Sequence, residues 1–159
     1  MRSKIFITIV AVMSLVWSLG TIPAAQAKQK SVDPELQKFQ GTWVLISAEM
    51  DGKKVNAAHV KKSRITIVGD KVELFTPHQH KEKIVSSIVK LDVTKNPKEM
   101  HWVRAAGPHA GKHMTAIYEF EGPDQYKICF DPASLSVPKA FGTKAGSGHI
   151  WHTWKRAKK

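Results

Sequence analysis

From Thr42 to the C-terminus, apolar and polar positions alternate in short runs, and each run stops at a turn signal. Alternation with a period of two marks a strand with one buried and one exposed face. Eight such runs follow one another: TWVLISAEM (42–50), SRITIV (63–68), KVELF (71–75), EKIVSSIVKLDV (82–93), MHWVRA (100–105), HMTAIYEFE (113–121), QYKICF (125–130) and HIWHTWKRA (149–157). Gly69-Asp70 between two alternating runs is a tight hairpin signal, and Asn96-Pro97 forbids a continuing strand. Only the link between the last two runs is long, and it is rich in Pro, Gly and Ser. Successive strands with mostly short connections predict an all-β fold, an eight-stranded antiparallel up-and-down barrel. Closing the sheet removes the two edges that an open one would expose. An open sandwich is the alternative.

Ahead of the first strand, DPELQKF (33–39) has the grammar of a short helical turn. Asp33 can cap it, Pro34 suits its first position, and Leu36 and Phe39 fall on one side. It is the one convincing helix start in the mature chain. Gly41 ends it and begins a Gly-x-Trp triplet at the mouth of the first strand.

The first 27 residues follow another rule. Arg2 and Lys4 precede the uninterrupted apolar run IFITIVAVMSLVWSLG, then Pro23 breaks it and Ala25-Gln26-Ala27 offers a small-x-small cleavage pattern. That layout predicts a signal peptide over 1–27, a linker over 28–32, a barrel domain over 33–159, and an exported protein, periplasmic or extracellular. Losing Arg2 and Lys4 with the leader takes the formal net charge from +12 to +10. A basic excess favours anionic partners, here an anionic polysaccharide or membrane surface, while export disfavours nucleic acid. Cys129 is the single cysteine, so no internal disulfide forms, and its apolar run suggests a buried thiol.

KFQGTWVLISAE resembles the first strand of lipocalins and fatty-acid-binding proteins, which share a Gly-x-Trp after a short helical turn. In lipocalins a basic residue near the end of the last strand lies across that Trp, and Arg156 stands at the matching place. The resemblance implies structural roles for Gly41, Trp43 and Arg156. A closer resemblance runs through LQKFQGTWVLISAEMDGKKV, LDVTKNPKEM, GPHAGKHMTAIYEFEGPDQYKICF and GTKAGSGHIWHTWKR. Together these look like a lipocalin-like domain family found as exported paralogues in planctomycete bacteria. That family implies fold and export and carries no assigned activity, cofactor or catalytic residue. Val137-Pro138-Lys139 departs from the Arg-Pro expected in many members.

Catalytic and metal signatures do not assemble. GPHAGKHM is one residue short of a phosphate loop and has His where Ser or Thr should bind magnesium. Ser136 to Lys139 has the Ser-x-x-Lys form without its partner motifs. His78 and His80 could chelate from a loop, His109 and His113 have helical spacing in a stretch broken by glycine and proline, and His149 and His152 point to opposite faces of a strand. No enzyme, cofactor or metal site is therefore expected. Strand parity instead groups Ile65 with Ile67, Met100 with Trp102, Tyr126 with Ile128 and Phe130, and His152 with Trp154. If these faces point inward, Ile65, Ile67, Met100, Trp102, Tyr126, Ile128, Phe130 and His152 line a cavity for a small apolar or amphipathic ligand, or simply fill the barrel.

Overall fold

The computed structural model describes residues 33–76 and 83–158. The expected leader, its linker and the His78–His80 pair lie outside the described residues. Among the described residues the order is helix α1 (Pro34–Phe39), strand β1 (Gly41–Met50), a two-residue strand β2 (Lys53–Lys54), helix α2 (Ala57–Val60), then β3 (Arg64–Val68), β4 (Lys71–Phe75), β5 (Ile84–Asp92), β6 (Lys98–Ala106), β7 (His113–Phe120), β8 (Gln125–Phe130) and β9 (Ile150–Arg156). From β3 onward each strand pairs antiparallel with the next. β3 also pairs with β1, and β9 returns to β1 from Trp43↔Arg156 to Met50↔Ile150. The result is the expected closed, eight-stranded antiparallel barrel. β2 is an appendage on the end of β1.

Alternation is broken where one residue is added. In β1, Leu45 pairs with Trp154 and Ser47 with Thr153, so Ile46 is the extra residue; in β5, Ile88 pairs with Trp102 and Lys90 with His101, so Val89 is. A bulge turns the extra side chain out and shifts the parity beyond it. Ile46 and Val89 are accordingly exposed, while Ala48 in β1 is buried.

Helix α2 corrects the expectation of a single helix. Asn56 caps it by accepting from the Ala58 N–H at 2.8 Å, and Val60 enters the core. Four residues are too few to carry a helical period, so only the cap could have announced it.

One end of the barrel is closed by α1. Asp33 Oδ1 accepts from the Glu35 N–H at 2.8 Å, as the cap predicts. Phe39 points into the barrel, with its ring centroid 5.1 Å from Tyr118, 4.6 Å from Phe120 and 5.2 Å from Tyr126. Glu35 is buried beside this aromatic plug and accepts from Lys38 at 2.6 Å, Lys98 at 2.8 Å and the Tyr118 hydroxyl at 3.1 Å. Burial alone would raise its pKa; the three donors outweigh that and hold it below the usual carboxylate value.

The link between β8 and β9 is a strap on the outside of the barrel. Lys127 sits 4.6 Å from the Phe141 ring, the Cys129 thiol donates to the Gly142 carbonyl, and Thr143 donates to Glu49. Gly52 faces it: a Cβ there would lie 2.9 Å from the Ala145 nitrogen, and the glycine's φ is +79°. Cys129 is thus buried under the strap, and burial pushes its thiol up to about 11, so it stays protonated and unreactive at neutral pH.

Candidate functional site

Inward faces of β3, β4, β5, β6, β8 and β9 enclose a cavity of about 70 Å³. All eight residues singled out from strand parity border it: Ile65 and Ile67 from β3, Met100 and Trp102 from β6, Tyr126, Ile128 and Phe130 from β8, and His152 from β9. Val72, Leu74, Ile84, Ser86, Ile88, Arg104 and Trp154 complete the wall. The volume is about half of the roughly 150 Å³ at which an apolar cavity takes up benzene. Most of the barrel is therefore packed side chain, with room left for a body of a few carbon atoms.

The wall is graded along the barrel axis. Tyr126, Ile67 and Trp154 lie toward the end closed by α1. Trp102, Phe130, His152 and Trp154 form a chain of edge-on rings with centroids 5.6, 5.6 and 5.5 Å apart. Polar groups gather toward the opposite mouth, where β5 begins, β6 ends and β9 begins. There Ser86 faces Arg104 across the β5–β6 ladder, and both are buried.

Arg104 is the residue that the sequence reading passed over. Its Nη1 donates to the Pro108 carbonyl at 3.1 Å, and its Nη2 lies 3.9 Å from the Met114 sulfur. Its Nε–H has no partner, and among the described residues no carboxylate pairs with it. Burial lowers its pKa, but a guanidinium remains protonated at any ordinary pH. A signal was present: in MHWVRA, Arg104 has the parity of Met100 and Trp102.

His152 borders this cavity and a smaller one of about 20 Å³ beneath α2, where Val60, Ser63 and Thr76 stand. It is half-buried, with its ring against these two cavities. Desolvation there lowers its pKa to about 4. The imidazole is therefore neutral near pH 7.

A consequence follows for stability. The folded pKa lies below the unfolded value of about 6.5, so between them the unfolded chain binds more protons. This contribution is fully present above pH 6.5 and is lost as pH falls toward 4, with a ceiling of about 1.4 kcal/mol per pH unit for one site. Urea titrations at pH 7 and pH 4.5 should show a larger loss for the wild type than for His152→Gln. The same loss in both would mean that His152 is charged in the folded barrel.

One cluster outside the cavity imitates a catalytic triad. Ser136 Oγ lies 3.0 Å from His149 Nε2 and donates to Asp131 Oδ2 at 3.2 Å. A nucleophilic serine must give its proton to the histidine, with the carboxylate behind the imidazole. Here the Asp131 carboxylate meets the serine hydroxyl itself instead of standing behind the imidazole. Asp131 also accepts from the backbone of Ala133, Leu135 and Ser136, which makes the cluster a clasp for the strap. Glu119 and Glu121, which share a strand end, both pair with Lys127 at 3.1 and 3.5 Å. Among the described residues no three His, Cys, Asp or Glu side chains come together as metal ligands.

In comparisons with known protein families, with curated proteins and with solved structures, nothing matches this chain.

Proposed function

We propose that this protein is a lipocalin-like, non-catalytic exported module that takes a small apolar or amphipathic ligand into its barrel. The observation that carries the reading is the cavity itself: about 70 Å³, walled by aliphatic and aromatic side chains, with a few polar groups on one side. Concave apolar walls with few convergent polar groups are what small-ligand sites share. The volume limits the buried part of the ligand to a few carbons.

Trp102 and Trp154 border the cavity and report on it. Titration with four- to eight-carbon alcohols and acids should change Trp fluorescence saturably. Trp102→Phe should remove much of that signal without unfolding the barrel. An absence of any saturable response across the panel would end this reading.

Docking of an anionic polymer on the basic surface has less to support it. A groove of about 550 Å³ between α1 and the strap is bordered by Lys38, Lys95, Lys98 and Lys139. Lys38 and Lys98 are held by Glu35, which leaves two lysines for a partner, and exposed lysines are ordinarily solvated.

A further inference from the structure

Among the described residues, the wall of the cavity contains a buried cation with no anion opposite it. Arg104 is 7% exposed, its Nε–H is unpartnered, and its other contacts are one backbone carbonyl and one thioether sulfur. None of these neutralises a charge. A buried, uncompensated guanidinium is costly, and proteins ordinarily pair such a group or replace it with an apolar one. The cavity's other titratable wall residue with a basic nitrogen, His152, is neutral for the reason given above, and Tyr126 is held in its phenol form because burial raises its pKa. Ser86, across the ladder from Arg104, adds one more buried hydroxyl beside the cavity. Among the described residues the site thus has a fixed positive charge, two neutral hydroxyl groups along the cavity wall, and no anion.

We propose that Arg104 is the head-group site of the barrel and that the ligand is a short-chain organic carboxylate. The carboxylate sits against the guanidinium, and its hydrocarbon body runs down the cavity toward Ile88 and Trp102. This rests on the binding reading above and specifies its chemical class. The planar fork of an arginine matches a carboxylate with charge-assisted hydrogen bonds, and the free Nε–H supplies one of them. Placing the head near the mouth and the tail inside also accounts for the gradient of the wall, polar at the end of β6 and apolar toward α1. The small volume limits the enclosed part of the tail to a few carbons.

The test uses hexanoate, hexan-1-ol and hexylamine, three probes of one chain length that differ in head-group charge. Each is titrated at constant ionic strength into the wild type, Arg104→Met and Arg104→Lys, followed by calorimetry and Trp fluorescence. The wild type should bind hexanoate at least about tenfold more tightly than hexan-1-ol and should reject hexylamine. Arg104→Met should remove the preference by weakening hexanoate while leaving hexan-1-ol unchanged or tighter. Arg104→Lys should keep part of it, which a purely structural arginine would not explain. The methionine variant replaces an unpaired buried charge with an apolar chain of similar length, and folding of both variants is checked by far-UV circular dichroism.

Equal binding of hexanoate and hexan-1-ol by the wild type would overturn the head-group assignment and leave the cavity reading standing on the alcohol. Retention of the preference in Arg104→Met would overturn it as well. Competition by chloride or inorganic phosphate as strong as that of hexanoate would make Arg104 a plain anion site and remove the carboxylate class. Binding of none of the three probes would remove the cavity reading and this inference with it.

Discussion

Trp43→Ala should cost about 3–5 kcal/mol of stability, the largest single loss expected in this chain. Trp43 is fully buried, and three kinds of contact meet on it. Its ring packs edge-on against Tyr126 at 4.8 Å and at a tilt against Phe120 at 6.4 Å. Its Nε1 donates to the Phe39 carbonyl at 2.7 Å, the last carbonyl of α1. Its outer face carries the Arg156 guanidinium, 4.1 Å from the ring centroid. Alanine would leave a large cavity at the closed end, a buried carbonyl without its donor, and an arginine without its platform.

Total stabilities of single domains are about 5–15 kcal/mol, so this one change approaches the limit of folding. Trp43→Phe should cost less, because it keeps most of the apolar volume and loses the hydrogen bond. Urea denaturation followed by circular dichroism measures both. A loss below about 1 kcal/mol for the alanine variant would mean that α1 does not depend on Trp43 to seat its end.

The same residues show why some features were legible in the chain and others were not. Strand positions follow from alternation, and alternation survives as long as every residue has a cross-strand partner. Ile65, Met100, Tyr126 and His152, grouped by parity, border the cavity, and β3, β6, β8 and β9 are regular over those positions. Alternation could not foresee Ile46 and Val89, since a bulge is a property of two paired strands and neither carries a residue that announces one. The strap was visible as a long Pro-, Gly- and Ser-rich link. Its course along the outside depends on contacts between residues far apart, such as Thr143 with Glu49, which no local pattern encodes.

Arg104 is the instructive omission. Its inward parity was readable, but a charged residue on an inward face reads as an edge or rim position until its partners are known. What sets it apart is the lack of a carboxylate around it among the described residues, which shows only once the barrel is folded. Conversely, Ser136 and His149 lie within hydrogen-bond reach in the fold, yet Asp131 meets the serine and does not stand behind the imidazole as a triad requires. In both places the chemistry is decided by partners and not by residue types.

Arg156→Ala should cost about 2–4 kcal/mol, and Arg156→Lys should cost most of the same. The guanidinium donates to three backbone carbonyls in different directions: Nη1 to Gln40 at 2.6 Å, Nη2 to Lys38 at 3.0 Å and to Pro123 at 3.1 Å. It thereby joins the end of β9 to the α1–β1 junction and to the β7–β8 turn, while its flat face rests on Trp43. A lysine ammonium is a point donor without a plane, so it can neither span the three carbonyls nor stack in the same way. Gly41 is part of the arrangement. Its φ is +105°, and a Cβ there would lie 3.5 Å from Arg156 Nη1, so the triplet needs glycine for the turn that brings the Gln40 carbonyl to the arginine.

The fourth contact, Nε to Asp124 at 2.9 Å, involves a carboxylate that is 65% exposed. Exposed pairs contribute little, so Asp124→Ala should change stability by less than about 1 kcal/mol. A double-mutant cycle between Trp43→Leu and Arg156→Ala isolates the ring–cation contact and should return a coupling of about 0.5–2 kcal/mol. If Arg156→Lys proved as stable as the wild type, the carbonyl staple would have to be discarded, and the role of Arg156 would reduce to placing a positive charge over Trp43.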